Sequence, residues 1–419
     1  MIFLAVELVT RATLSFRGAA AALALFAASA GGNEPFPVPT PCATTIRSWV
    51  LRLGYASLTC PLPHDRPWIW LIDHTLQIGS QKLFVIVGVP LDAVPFGVRP
   101  LQSSDLHLIA LVRMDESNQH LVDAELEKAV ARTGTPRQIV SDGGSDLVGG
   151  IERFRERHAE TLGVPDVAHH AANLLKHYWE RDPMWQSFTG RMNAVAAKIR
   201  QTRAAHLMAP KLRNKARFMS VGVFVRFGRI LLARLGSATP DAEVEKHYAW
   251  VREYAESLRA WGEQHALVEV TLSHVRVEGL FERGLTLLEQ EWARASPPSG
   301  HPVTEALRNR LRAYVGRWGR AARAGERLVG STEILESAFG VQKRLSGDQS
   351  KSGLTSASVG LGAVLGKMSA EQMGAELGRV PEKAVLGWAK RWFGETVQWM
   401  RRKFMGDQPA DHESVPDLG

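Results

Sequence analysis

The chain is 419 residues long, 45% hydrophobic and 22% charged, enough to bury a large core in two or three domains. Its two cysteines, Cys42 and Cys60, exclude a disulfide framework and a cysteine-ligated zinc site; both are expected to pack as small apolar residues of a reduced, intracellular protein. The net charge is +8, and the 58 residues from Pro183 to Pro240 hold eleven Lys or Arg and no Asp or Glu, which leaves −3 for the rest of the chain and points to a polyanionic partner.

The first 62 residues read as helical. Arg17, the apolar run Ala19 to Ala28 and Ala28-Ser29-Ala30 imitate a secretory leader, but Glu7 and the apolar stretch Ile2 to Val9 do not suit a short basic one. Ser15 is placed to cap a helix from Phe16 to Ala28, and a Pro/Gly-rich stretch follows from Gly31 to Pro41. A second helix is expected from Thr44 or Thr45, with Ile46, Val50 and Leu53 on one face, Arg47 and Arg52 elsewhere, and Gly54 as its stop. Two such helices suit a helix-turn-helix whose second helix enters a major groove, although their connection is far longer than a standard turn; a helical cap on the next domain is the alternative. No later segment is long and apolar enough to span a membrane.

From Trp68 the pattern changes to strands. Trp68–Asp73, Leu83–Val89 and Leu108–Met114 are apolar runs separated by turn-rich loops. Asn118 to Thr133 is amphipathic and helical, Gly134-Thr135-Pro136 breaks it, and Arg137–Ser141 is a fourth strand. Asp146 to Glu160 reads as a helix with Ile151 and Phe154 inward, and Val164–His169 as a fifth strand. This order gives an α/β fold with a mixed five-stranded sheet flanked by helices. Residues 171 to 325 are rich in Ala, Leu, Arg and Glu and form a large, mostly helical insertion. A further helix carries Glu336; after it Leu354 to Lys367 has the Gly and Ser content of a closely packed segment, a basic aromatic helix follows Pro381, and residues after Gly406 read as disordered.

Three carboxylates stand out. Asp73 ends the first strand, Asp142 ends the fourth and precedes Gly143-Gly144, and Glu336 lies in the helical stretch Glu333-Ile334-Leu335-Glu336-Ser337-Ala338-Phe339. Two carboxylates at strand ends and one from a helix can converge on a pair of hard cations, which is how a protein without an organic cofactor cuts and joins phosphodiesters. The bland alternatives are turn-formers for both aspartates. Asp146 is the rival of Asp142 and is expected to cap its helix; Glu333 is the rival of Glu336. Lys343 follows Glu336 with six residues between them, so two helical turns put both on one face, with Arg344 beside it. The densest basic cluster is Lys211, Arg213, Lys215 and Arg217. Trp292 is a candidate for stacking an unpaired base, set against an ordinary core role.

The ordered set Ile72-Asp73-His74-Thr75, Val140-Ser141-Asp142-Gly143-Gly144-Ser145-Asp146-Leu147 and Glu336-Ser337-Ala338-Phe339 resembles the ribonuclease-H-like catalytic domain of DDE transposases of bacterial insertion sequences, over about residues 68–368. The Glu336-x6-Lys343 spacing is similar to that of the IS4-like group, although Thr332 stands where that group has an Arg. The resemblance implies Asp73, Asp142 and Glu336 as ligands of two Mg²⁺ ions, with Mn²⁺ as a substitute. It implies double-stranded DNA, the element ends and the target, as partner. Lys343, Arg344, Lys211, Arg213, Lys215, Arg217, Arg47 and Arg52 would then contact DNA. Asp166-Val167-Ala168-His169 has the Asp-x2-His form found in transposases with a helical insertion, which implies that Asp166, His169 and Asn173 lie near the active site. Strand cleavage and transfer, a homodimer in the reaction complex and a cytoplasmic, nucleoid-associated protein without membrane contact complete the expectation. The corresponding domains are 1–62, a helical DNA-binding domain; 63–180 and 326–368, two parts of the catalytic core; 181–325, the insertion; and 369–419, a basic tail. A nuclease without strand joining and a non-catalytic DNA-binding regulator are the alternatives.

Overall fold

The computed structural model describes residues 1–30, 39–78, 81–212, 217–239, 241–295, 300–347 and 354–406. Most of the Pro/Gly-rich stretch after Gly31 and the tail after Gly406 lie outside them. The chain divides into two compact units: 1–94, 101–163 and 332–419 form one, and 95–100 with 164–331 form the other.

The first unit carries the sheet apart from the last two residues of its fifth strand. Its strands are β1 (Trp68–Ile78), β2 (Gln81–Pro90), β3 (His107–Met114), β4 (Gln138–Ser141) and β5 (Leu162–Pro165), in the order β3-β2-β1-β4-β5. β2 runs antiparallel to both β1 and β3, and β4 runs parallel to β1. This is a mixed, ribonuclease-H-like sheet flanked by helices, with the long β1 at its centre. Three helices precede it, α1 (Ile2–Thr10), α2 (Phe16–Ala30) and α3 (Ala43–Thr59). After β3 comes α4 (Gln119–Thr133), and after β4 comes α5 (Ser145–Arg157).

Alternation along β1 sorts its side chains. Trp68, Trp70 and Ile72 face Val122, Leu126 and Ala129 of α4 and Leu147, Ile151 and Phe154 of α5 in one buried cluster. Each such large apolar side chain contributes about 1.5–3 kcal/mol on burial. Asn118 caps α4 by accepting from the N–H groups of His120 and Leu121, and Ser15 Oγ accepts from the Gly18 N–H at 3.0 Å to start α2.

Four local expectations fail for identifiable reasons. Gly54 does not stop α3, which runs five residues further to Thr59. It is a close-approach glycine: a Cβ there would meet the Val359 carbonyl oxygen at 2.1 Å. The segment crossing it, Ser356–Gly360 and Leu361–Val364, is the Gly/Ser-rich stretch expected to pack closely. Cys42 is exposed rather than packed; it precedes α3 with its Sγ 3.0 Å and 3.2 Å from the hydroxyls of Thr44 and Thr45, and its thiol is lowered to about 6, first by Thr44. The fifth strand ends at Pro165, four residues early, because Asp166 accepts from the His169 N–H at 2.7 Å and caps the next helix. The basic tail is two helices, Glu382–Phe393 and Val397–Phe404, parted at Gly394, whose φ is 69°.

The second unit is helical: α6 (Val167–Trp179), α7 (Pro183–Ile199), α8 (Val221–Leu235), α9 (Ala242–Tyr248), α10 (Ala255–Glu278), α11 (Gly284–Ala295) and α12 (Pro302–Ala321). Its core is aromatic. Trp185 lies 4.7 Å from Trp179 and 5.0 Å from Trp261 between ring centroids, with Phe188 and Phe224 beside them. Trp292 belongs to this interior rather than to a binding surface: it is 1% exposed and its indole N–H faces the Leu267 carbonyl and the Thr271 hydroxyl. Among the described residues no helix is long and apolar enough to cross a membrane.

Candidate active site

β1 and β4 pair in parallel through Ile69–Gln138, Trp70–Ile139, Leu71–Val140 and Ile72–Ser141. The next residues in that register are Asp73 and Asp142. Neighbouring strands lie about 4.8 Å apart, and parallel residues in register point to the same side. The first strand does not end at Asp73 as expected but runs five residues on to Ile78, so Asp73 is interior to β1, whereas Asp142 is the first residue past β4. Continuing the register by one step sets the two half-buried carboxylates beside each other, on the face opposite the α4–α5 cluster. Each is held locally. Asp73 Oδ1 accepts from the His74 N–H at 2.6 Å, and Asp142 Oδ1 accepts from the Gly144 N–H at 3.0 Å. The second bond is the turn that lets β4 pass directly into α5.

Asp146, expected as a helix cap, is not one: Gly144 occupies the N-cap and makes no side-chain bond. Asp146 instead gathers three groups from three other elements. Its Oδ2 accepts from the Ser117 hydroxyl, at 2.5 Å, and lies 3.1 Å from His74 Nε2 and 3.6 Å from Lys82 Nζ. Ser117 Oγ is also 3.0 Å from His74 Nε2. Burial works to raise the Asp146 carboxyl, but the Ser117 hydrogen bond, the His74 and Lys82 charges and the Leu147 N–H outweigh it and hold it below its usual value. Burial pushes the His74 imidazole below its ordinary value, against the pull of Asp146. His74, Lys82 and Ser117 were missed in the sequence. Their signal was hairpin register: His74 pairs with Phe84, so Lys82, two residues before Phe84, shares its face.

Glu336 sits on α13 (Glu333–Ser346), which packs against β1. The buried stripe of α13 is Leu335, Ala338, Phe339 and Gln342. Glu336 and Lys343 border it on one side and are exposed, as is Arg344, while Glu333 is half-buried. Asp73 and Asp142 offer the hard oxygen donors that suit Mg²⁺, which is usually held through one or two carboxylates with waters and phosphates completing its shell. The pair fits such an ion. No group of three His, Cys, Asp or Glu arranged to hold a metal occurs among the described residues.

The other candidates are dispersed. Arg47 is exposed on α3, whose only other exposed residues are Thr44 and Thr59. Arg52 is half-buried and its guanidinium donates to the carbonyls of Leu377 and Val380, at the end of the helix Ala370–Arg379. In the helical unit, Asp166 is buried at the start of α6, where its carboxylate also meets His169 Nδ1 at 3.2 Å; Asn173 is exposed one turn on. Lys211 is exposed, Arg217 opens the short turn Arg217–Met219, and Arg213 and Lys215 lie outside the described residues.

No protein-family model matches the chain, and no curated protein matches it. Among solved structures it is similar to one described as a Drosophila P element transposase strand transfer complex, at 11% sequence identity and a TM-score of 0.43, over 89% of this chain and 92% of that one. At that level of likeness the functional reading has to rest on this chain's own residues.

Proposed function

We propose that the protein is a DNA transposase, cleaving a phosphodiester at the end of a mobile element and joining the freed 3′ end to target DNA. The observation that carries this reading is the parallel pairing of β1 and β4 up to Ile72 and Ser141, which brings the next residues, Asp73 within β1 and Asp142 just past β4, beside each other. Two like charges held side by side repel, and the arrangement makes sense when a cation with a phosphate ester is to be bound between them and the substrate. Asp73 and Asp142 would hold Mg²⁺, with Glu336 as the third carboxylate, supplied from α13. Such an ion, when bound, stabilises charge on the phosphoryl oxygens and lowers the pKa of water or of a hydroxyl.

The chain's own groups orient that site. The Gly144 N–H fixes one oxygen of Asp142, and the His74 N–H one of Asp73. The Asp146 cluster ties the middle of β1, the start of β2, the approach to α4 and the first turn of α5 to one carboxylate, so the two aspartates sit on a braced edge rather than a loose loop. Lys343, on the Glu336 side of α13, is positioned by helix geometry to meet a phosphate when Glu336 is engaged. Recognition of element ends, a homodimer in the reaction complex and the IS4-like grouping belong to the same proposal, supported by the Glu-x6-Lys spacing.

The exposure of Glu336 favours one second reading, a DNA-binding regulator of transposase descent without catalysis. A cleavage and strand-joining assay on DNA carrying the element end separates the two. Wild type with Mg²⁺ or Mn²⁺ is expected to cut and join, and Asp73→Asn, Asp142→Asn and Glu336→Gln to bind without cutting. Uncut DNA with wild type leaves the regulator; cutting that survives Asp73→Asn ends the catalytic proposal; cutting without joining leaves the nuclease.

A further inference from the structure

A cavity of about 530 Å³ opens between α8 and α10 in the helical unit. That volume falls in the range that takes a small ligand or one unit of a polymer. Its lining includes the apolar Val223, Ala266 and Val270, and its charged groups are Arg226 and Arg229 of α8 with His265 and Glu269 of α10. The helices approach closely because Gly222 has no side chain: a Cβ there would meet His265 Nε2 at 1.8 Å. His265 lies 3.6 Å from Glu269, so the one carboxylate of the cavity already faces the ring. Burial holds His265 below its ordinary value, with Glu269 pulling upward and Arg226 downward. Arg226 and Arg229 are exposed and have no ion-pair partner among the described residues. By contrast Arg191, in the same acid-free stretch, is committed to Glu253 at 2.6 Å and to the Trp250 ring.

Two unpaired guanidiniums one turn apart beside apolar side chains match a phosphodiester whose attached sugar or base lies against those side chains. We propose that this cavity binds the backbone of a DNA strand, with Arg226 and Arg229 on its phosphates and Val223, Ala266 and Val270 against the adjoining nucleoside. A strand is favoured over a small phosphate ester because the same acid-free stretch exposes further cations, Lys198, Arg200, Arg203, Lys211 and Arg234. This assignment rests on the DNA reading above but not on the catalytic part of it.

The test measures DNA affinity by fluorescence anisotropy between 50 and 200 mM salt for wild type, Arg226→Ala/Arg229→Ala, Arg226→Lys/Arg229→Lys, and the charge-matched control Arg259→Ala/Arg294→Ala, with thermal melting as a check of folding. Two phosphate contacts correspond to a salt slope of about −1.8, so over this range wild type should lose about 12-fold more affinity than the double alanine variant. The lysine pair should keep most of the slope, and the control should match wild type. Equal slopes for wild type and the alanine pair overturn the assignment, as does an equal fall in the control. So does a cavity that takes inorganic phosphate or a small phosphate ester while DNA affinity ignores both arginines. A wild type that binds no DNA ends the assignment together with the broader reading.

Discussion

The sheet unit and the helical unit place their charged residues by different rules. In the sheet unit, position follows register: once β1 and β4 align Ile72 with Ser141, the next residues, Asp73 and Asp142, are set beside each other. In the helical unit, position follows packing. Arg226, Arg229 and His265 share a cavity because Gly222 lets α8 approach α10 and because an aromatic core around Trp185 and Trp261 sets how the helices lie. The comparison teaches that a two-residue period brings distant residues together predictably, while helix packing does so only through side chains scattered along the chain.

The largest effect expected is on catalysis. Asp73→Asn or Asp142→Asn should lower strand cleavage by about 10³-fold or more with DNA affinity unchanged, read by cleavage rate against binding curves. If only one matters, the register pair is not the functional unit. Next come the two packing rules. Trp185→Ala should cost about 3–5 kcal/mol in the helical unit, and Gly54→Ala about 1–3 kcal/mol in the sheet unit because α3 must move off Val359. Denaturant titration followed by circular dichroism compares them, and a Gly54→Ala cost above that of Trp185→Ala would reverse the ranking.

A smaller effect is pH dependence at the braced edge. The folded chain holds the His74 imidazole below its ordinary 6.5, so the unfolded chain binds the proton first. Its contribution to stability is complete above 6.5 and is lost as pH falls through the lowered folded value. Asp146 is also held low, so its contribution is complete above 3.8 and lost below it. His74→Gln should flatten the stability curve from about pH 7 to 5 and leave the acid limb, whereas Asp146→Asn should weaken that limb. Melting temperatures across pH check both, and a His74→Gln curve parallel to wild type would remove His74 from the brace. The smallest effect is Arg52→Ala. Losing the bonds to Leu377 and Val380 should cost about 1–2 kcal/mol with no change in the salt slope of DNA binding; a changed slope would return Arg52 to the DNA surface.

Much of the sheet was legible in the sequence. Apolar runs bounded by turns placed the first four strands, although β1 runs on past Asp73 to Ile78, and Ser15 announced a helix start through capping chemistry. The misses share one cause, namely that residues with two possible uses were read by their local one. Gly54 was read as a stop and is a packing contact, Asp146 was read as a cap and is the hub of an ion cluster, and Arg52 was read as a DNA contact although its guanidinium is spent on carbonyls more than 300 positions away.

The sequence by itself determined the order of strands and helices, the acid-free stretch, and Asp142 at the end of its strand, because alternation, capping and charge are local properties. Only the tertiary structure decided that Asp73 and Asp142 share a face and that Asp146 joins His74, Lys82 and Ser117. It alone left Glu336 exposed and opened a cavity beside Arg226 and Arg229. Each of these depends on where separate segments meet, and segments meet according to the volumes and backbone shapes they bury against one another.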